Sequence, residues 1–375
     1  MFAFRVITRD GTTGARLGEL MTARGPVETP AFMPVASGGT VKGIQPRELR
    51  ELGVSMVLAN AYHLYLRPGV EVIVGAGGLH RFMAWDGPIL TDSGGYQVFS
   101  LRRLCRVTDD GVTFRSHIDG STHRWRPEEV VCIQEALDVD VAMVLDECVP
   151  GAASRRDAQR ACERTTAWAQ RSLRAKRRDD QALFAIVQGG CFPDLRRESA
   201  HALVALGFSG YGVGGLSVGE DRALTHELAA HTVRFLPDHA PRYLMGVGTP
   251  EDLVRYVGLG YDLFDCVLPT RNGRNGTLFT SRGRINIRSA VYASDRAPVE
   301  EGCPCYACRH FSRAYLRHLA VAREMLSSVL NTMHNLHFYA SLMGRARAAM
   351  LRGTFADFAR EFLSGAGTAE KVWEG

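Results

Sequence analysis

Eight short apolar runs, most of them closing on a polar residue or a glycine, set the tightest limit on how this chain folds. They are Phe32–Val35, Met56–Asn60, Ile89–Asp92, Val141–Asp146, Leu183–Gln188, Tyr211–Gly215, Tyr243–Gly246 and Leu263–Asp265. Eight strands separated by longer helical or loop segments predict an α/β fold, a (β/α)8 TIM barrel. Helices are expected over Pro46–Gly53, Pro127–Asp138, Ser154–Lys176 and Pro193–Leu206, where apolar residues recur at intervals of three and four. Three of these begin at a proline, which the first helical position tolerates.

The chain has 375 residues and 46% hydrophobic content, enough for a substantial core. It is read as a single barrel catalytic domain over 1–375 carrying two insertions. The stretch from Gly94 to Arg126 is too long for a simple connection. Alternation at Val112–Ser116 and turn signals at Gly111 and Gly120 predict a small antiparallel insertion there. The second insertion, 268–335, carries Cys303-Pro-Cys305-Tyr-Ala-Cys308 and, after a helix-like run, His334. Three thiols and one imidazole complete a tetrahedral zinc shell with no position left for substrate, so a structural Zn2+ is expected and the chemistry must lie elsewhere.

The other six of the nine cysteines are scattered without a disulfide framework, which fits a reducing compartment. The N-terminus lacks a signal-peptide layout and no apolar run is long enough to cross a bilayer, so the expected location is cytoplasmic, with no membrane partner. Net charge is +5, and nearly all the basic residues are Arg, which pairs with phosphate through a planar fork. An acidic polymeric partner is therefore permitted.

The predicted strand ends place Asn60, Asp92, Asp146, Gln188, Gly215 and Asp265 on the barrel face where such enzymes work. A lone Asp after a strand is usually a cap or turn residue; three at equivalent strand ends weaken that explanation. Two carboxylates can share glycosyl transfer, one attacking an anomeric carbon and one moving protons. The third, with Gln188, suits an amino-keto purine edge, and Tyr96 and Met245 can sandwich its faces. The glycine-rich run Gly212–Gly219 fits no phosphate-loop spacing and is better explained by close backbone approach to a ligand. The segment Thr270–Gly276 is expected as a flexible, glycine-bounded loop presenting Arg271 and Arg274 to phosphate.

These residues resemble the bacterial tRNA-guanine transglycosylases (queuine tRNA-ribosyltransferases) over nearly the whole chain. The resemblance rests on Thr29–Val35, Asn60–Gly69, Thr91–Gln97, Phe114–Ser121, Asp146-Glu-Cys148, Gly214–Glu220 and Asp265–Gly273. It implies that Asp265 is the nucleophile that displaces the wobble guanine of tRNAs with GUN anticodons, and that Asp92 is the general acid/base. It further implies base recognition by Asp146, Gln188, Gly215 and Leu216, with Tyr96 and Met245 stacking and Cys148, Val218 and Glu220 fitting the 7-aminomethyl-7-deazaguanine that enters. Cys303, Cys305, Cys308 and His334 match the zinc ligands, Arg271 and Arg274 lie in the tRNA-contacting segment, and a homodimer is usual. The sequence departs from the commoner pattern at 36–39 and 99–110. A queuine-salvaging relative and a silent tRNA-binding subunit are the alternatives, and retention of both Asp92 and Asp265 argues against the silent subunit.

Overall fold

The computed structural model describes residues 2–370. Eight parallel strands form the central sheet: Ala31–Pro34, Val57–Asn60, Ile89–Asp92, Val141–Met143, Ala182–Val187, Gly210–Val213, Arg242–Leu244 and Leu263–Cys266. Each pairs with its neighbour in sequence, the eighth returns to the first, and a parallel bridge between Val35 and Leu58 joins the first to the second. The sheet thereby closes as a (β/α)8 barrel. Nearly every strand residue is buried, which is why these segments read as continuous apolar runs rather than alternating ones.

All four expected helices are present, at Pro46–Glu51, Pro127–Ala136, Arg155–Ala175 and Pro193–Val204. The Ser154 side chain accepts from the Asp157 amide and starts the longest of these. Its buried face runs Ala158, Ala161, Cys162, Thr165, Trp168, Ala169 and Ser172, the stripe that a 3.6-residue period lays against a sheet. The predicted insertion is a three-stranded antiparallel sheet, Cys105–Thr108, Gly111–Arg115 and Thr122–Trp125.

Two features lie outside the sequence reading. An N-terminal antiparallel sheet, Ala3–Arg9, Arg16–Thr22 and Gly25–Thr29, is tied to the barrel through Arg16. Its guanidinium donates to Asp262 at 2.9 and 2.5 Å and to the carbonyls of Asp238 and Ala240, with both charged side chains fully buried. Asp262 also accepts from the Arg242 amide, so this network sits at the start of the seventh and eighth strands, opposite their functional ends. The second feature is the 27-residue helix Met325–Leu351. Leu330 near its start packs in the core of the cysteine-bearing module, while Leu336, Tyr339 and Leu342 pack in the barrel core. Among the described residues, no helix is long and apolar enough to cross a membrane.

Because Arg16 is the buried counter-ion of Asp262, Arg16→Met is expected to lower the unfolding free energy in urea by about 3–5 kcal/mol. Arg9→Met, which removes the exposed pair with Asp238, is expected to change it by less than about 1 kcal/mol. Equal effects in the two variants would refute the role given to the buried pair.

Candidate functional site

The carboxyl ends of the barrel strands open into a cavity of about 320 Å3 whose lining includes Asn60, Asp92, Tyr96, Asp146, Cys148, Gln188, Gly215, Leu216, Val218, Met245, Asp265 and Arg271. Register explains part of this convergence. Asn60 and Asp92 are paired across the second and third strands, and Asn60 Nδ2 donates to Asp92 Oδ2 at 3.0 Å and to Gln97 Oε1 at 3.0 Å. The Asn60 Oδ1 meanwhile accepts from the His63 amide and caps the next helix.

The three carboxyl groups differ in their surroundings. Asp265 is 8% exposed; its Oδ1 accepts from Tyr243 Oη at 2.6 Å and from the Gly246 amide at 2.7 Å. Burial raises its pKa above the usual carboxylate range, and those two donors work against the rise. Asp92 is pushed up to about 7, first by burial and then by the charges of Asp146 and Asp265. It is thus divided between acid and base near neutral pH. Asp146 is raised to about 6, chiefly by burial, with Gln188 opposing. Gln188 Nε2 donates to Asp146 Oδ2 at 2.6 Å, and Gln188 Oε1 is buried without a protein partner. Tyr96 is 53% exposed on the helix Gly95–Ser100, and half-buried Met245 follows the seventh strand.

Two glycines are required by space. A Cβ at Gly95 would meet Asp146 Oδ1 at 2.0 Å, and one at Gly215, whose φ is +63°, would meet Gln188 Oε1 at 2.3 Å. Glu220 lies outside the cavity lining. Its carboxylate accepts from the Ser217 amide, from the Val218 amide at 3.0 Å and from Thr225 Oγ1 at 2.7 Å, so it folds the loop that carries Val218. Burial opposes its ionisation, but the Thr225 and backbone donors outweigh burial and its pKa is lowered. The Cys148 thiol is buried and its pKa raised by that burial, which leaves it a small apolar wall.

Sequence reasoning missed Tyr243 and Arg196. Arg196 is fully buried and donates to the carbonyls of Gly190, Gly214 and Gly215 at 2.8, 3.1 and 2.9 Å. The available signal was an arginine in step with Leu195, Ser199, Ala200 and Leu203 on the buried face of its helix. The loop expected over Thr270–Gly276 is instead the helix Leu268–Asn275, with Pro269 at its start and Gly276 at φ +86° ending it. It packs closely on the long helix: a Cβ at Gly273 would lie 2.8 Å from the Thr332 backbone. Arg271 on this helix reaches the cavity, whereas Arg274 does not line it.

The ligand atoms of Cys303, Cys305, Cys308 and His334 all lie within 4.8 Å of one another, a set able to hold a metal ion. His334 Nδ1 is 3.3 Å from the Cys308 sulfur and 3.7 Å from that of Cys305. Its Nε2–H donates to the Phe279 carbonyl at 2.7 Å, which fixes the tautomer that leaves Nδ1 free to ligate.

The family described as queuine tRNA-ribosyltransferase matches residues 10–367. A queuine tRNA-ribosyltransferase of Pelotomaculum thermopropionicum is 56% identical over 361 residues, covering 96% of this chain and 98% of the relative. That of Symbiobacterium thermophilum is 54% identical over 371 residues, covering 98% and 93%, and that of Moorella thermoacetica is 53% identical over 359, covering 96% of each. With its barrel, its convergent carboxylates and its Cys3His cluster, the chain belongs to the queuine tRNA-ribosyltransferase family, the tRNA-guanine transglycosylases, which are pentosyltransferases.

Proposed function

We propose that this transglycosylase exchanges the wobble guanine of tRNAs with GUN anticodons for 7-aminomethyl-7-deazaguanine through a ribose held covalently on Asp265. The observation that carries this reading is that one cavity holds Asp92 and Asp265 together with the Asp146–Gln188 pair. In this reading they serve as nucleophile (Asp265), proton carrier (Asp92) and purine-edge reader (Asp146 with Gln188).

The wobble nucleotide must leave the anticodon stack, at a cost of about a few kcal/mol that is least in a single-stranded loop. Tyr96 and Met245 flank the base while Asp146 accepts from its N1–H and amino group. Asp265 Oδ1 is held by Tyr243 and Gly246, so Oδ2 is the oxygen that attacks C1′. The C1′–N9 bond breaks, its electron pair stays on guanine, and Asp92 supplies the proton that makes the departing base neutral. In the return step Asp92 takes a proton from the incoming base, whose nitrogen displaces Asp265. Two inversions give net retention. Arg271 at the cavity edge and Arg274 on the same helix serve the anticodon-loop phosphates.

Zn2+ suits the Cys3His donor set, and when bound it crosslinks the cysteine loop to the long helix without taking part in the reaction. Exposed Tyr306, Val321 and Met325 on this module are apolar side chains available to a homodimer contact. The cytoplasm, where tRNA and reduced thiols coexist, is the proposed place of action.

Three outcomes test the reading. Asp265→Asn is expected to reduce incorporation of labelled guanine into tRNA to background while the tRNA dissociation constant stays within about threefold; undiminished turnover would remove the nucleophile assignment. Competition of the wild-type exchange by 7-aminomethyl-7-deazaguanine and by queuine then names the preferred base. The second outcome concerns pH. A carboxyl raised to about 6 is protonated below that pH and loses its acceptor for N1–H. Guanine inhibition is therefore expected to weaken about tenfold per unit below pH 6, and Asp146→Asn should bind guanine weakly with no such limb. A wild-type profile flat from pH 5 to 8 would contradict this role. Third, Cys305→Ser is expected to lose bound zinc by elemental analysis and to weaken tRNA binding more than guanine binding; full tRNA affinity in metal-free protein would oppose it.

A further inference from the structure

The base-reading wall of the cavity depends on a cation that never enters it. Arg196 is fully buried, and its partners are three backbone carbonyls, those of Gly190, Gly214 and Gly215. Among the described residues no carboxylate pairs with it. A buried guanidinium without a counter-ion is costly unless each donor is directed at a strong acceptor, and here the planar fork reaches across two loops. Gly189 and Gly190 follow Gln188 at the end of the fifth strand, and Gly214 and Gly215 follow the sixth. A Cβ at Gly189 would lie 2.6 Å from the Arg196 amide, so the first loop is folded directly onto the start of the Arg196 helix.

Peptide geometry turns this anchoring into a consequence for the cavity. The bonds joining Gly214 to Gly215 and Gly215 to Leu216 are trans, and in a planar trans peptide the C=O and N–H point in opposite directions. With the Gly214 and Gly215 carbonyls turned to Arg196, the N–H groups of Gly215 and Leu216 are turned away from it. Both residues line the cavity, and among the described residues neither N–H has a protein acceptor. Asp146, Gln188 and Gly215 come from the ends of three successive strands. A purine edge whose amino group and N1–H meet Asp146 therefore brings its 6-oxygen toward Gln188 and these amides.

We infer that Arg196 is a positioning residue that fixes and polarises the Gly214–Leu216 backbone into a two-amide hole for the 6-oxygen of guanine. This inference rests on the base-exchange reading above. When C1′–N9 breaks, the electron pair left on the base spreads through the purine to that oxygen, and donors already aimed there stabilise the charge without reorganising. Arg196 touches neither base nor ribose; it acts through two peptide units.

The test compares guanine with 2-aminopurine, which lacks the 6-oxygen, as competitive inhibitors of labelled-guanine incorporation by full-length zinc-loaded protein. Arg196→Met is expected to weaken guanine about tenfold, leave 2-aminopurine within about twofold, and lower kcat about a hundredfold with KM for tRNA unchanged. A general loosening of the fold would weaken both inhibitors alike, and that result would overturn the inference. Arg196→Lys keeps the charge, but a single ammonium cannot span three carbonyls. If the Met variant fails to fold, the Lys variant decides: a guanine-to-2-aminopurine ratio between those of wild type and 1 supports the inference, and a wild-type ratio overturns it. Failure of the wild type to incorporate guanine at all overturns the underlying reading instead, which keeps the two failures apart.

Discussion

Three carboxyl groups line one pocket, two of them on buried residues, and the surrounding architecture serves to keep them chemically distinct at close quarters. Burial pushes Asp92, Asp146 and Asp265 all toward the neutral form, and the charges of Asp146 and Asp265 push Asp92 further. Donors temper that drift to different degrees. Tyr243 and Gly246 hold one oxygen of Asp265, Gln188 holds one of Asp146, and Asn60 holds one of Asp92. The result is a graded set in which Asp92, at about 7, is the carboxyl best suited to pass a proton in either direction, while Asp146, at about 6, is mostly ionised at neutral pH. Environments that set neighbouring titratable groups apart are how one site comes to hold distinct acid and base roles. Because these groups are coupled, their titration belongs to the cluster as well as to each residue.

Strand register and missing side chains make the crowding possible. Pairing of Asn60 with Asp92 sets the amide beside the carboxyl through strand register alone. Gly95 lets the Asp146 carboxylate approach the helix that carries Tyr96, since any Cβ there would lie 2.0 Å from Oδ1. Asp146 and the helix carrying Tyr96 are thus brought together by an absence of atoms. Two strands along from Asp146, the carbonyls of the Gly214–Gly215 turn are occupied by a buried cation, so this turn is not free to rotate its peptides. Rigidity of this kind comes from the scaffold rather than from the loops themselves.

How much of this was legible follows from what each residue contributes locally. The eight strands were visible because burial on both faces leaves uninterrupted apolar runs, and their polar ends named Asp92, Asp146, Gln188 and Asp265. The metal cluster was visible because three ligands fall within six residues. The N-terminal sheet was not: in Ala3–Arg9 no residue is buried and Ile7 is 51% exposed, which blurs the alternation that identifies a strand. The helix Leu268–Asn275 reads as a loop because Pro269, Thr270, Gly273 and its two Asn residues promise little helix on their own. Contact with the long helix, not local preference, holds it. Arg196 was passed over because its meaning lies in three carbonyls from two other loops, which a linear pattern cannot bring together.

That contact with the long helix also joins the metal cluster to the reaction centre. His334 sits on Met325–Leu351 one residue before Asn335. Asn335 donates to the carbonyls of Pro269 and Thr277 and accepts from the Phe279 amide. Pro269 opens the helix bearing Arg271, and that helix begins two residues after Cys266, the end of the strand that supplies Asp265. The Phe279 carbonyl, in turn, accepts from His334 Nε2–H. A metal drawing His334 against the three thiols therefore tightens a single hydrogen-bonded frame. Its near end is the cysteine loop and its far end is Pro269, four residues after Asp265. The path from the Cys3His cluster to the cavity is short in hydrogen bonds, and it passes through the helix whose Arg271 lines that cavity. Loosening the cluster should accordingly be felt first in how the RNA is held, and only afterwards in how the base is read.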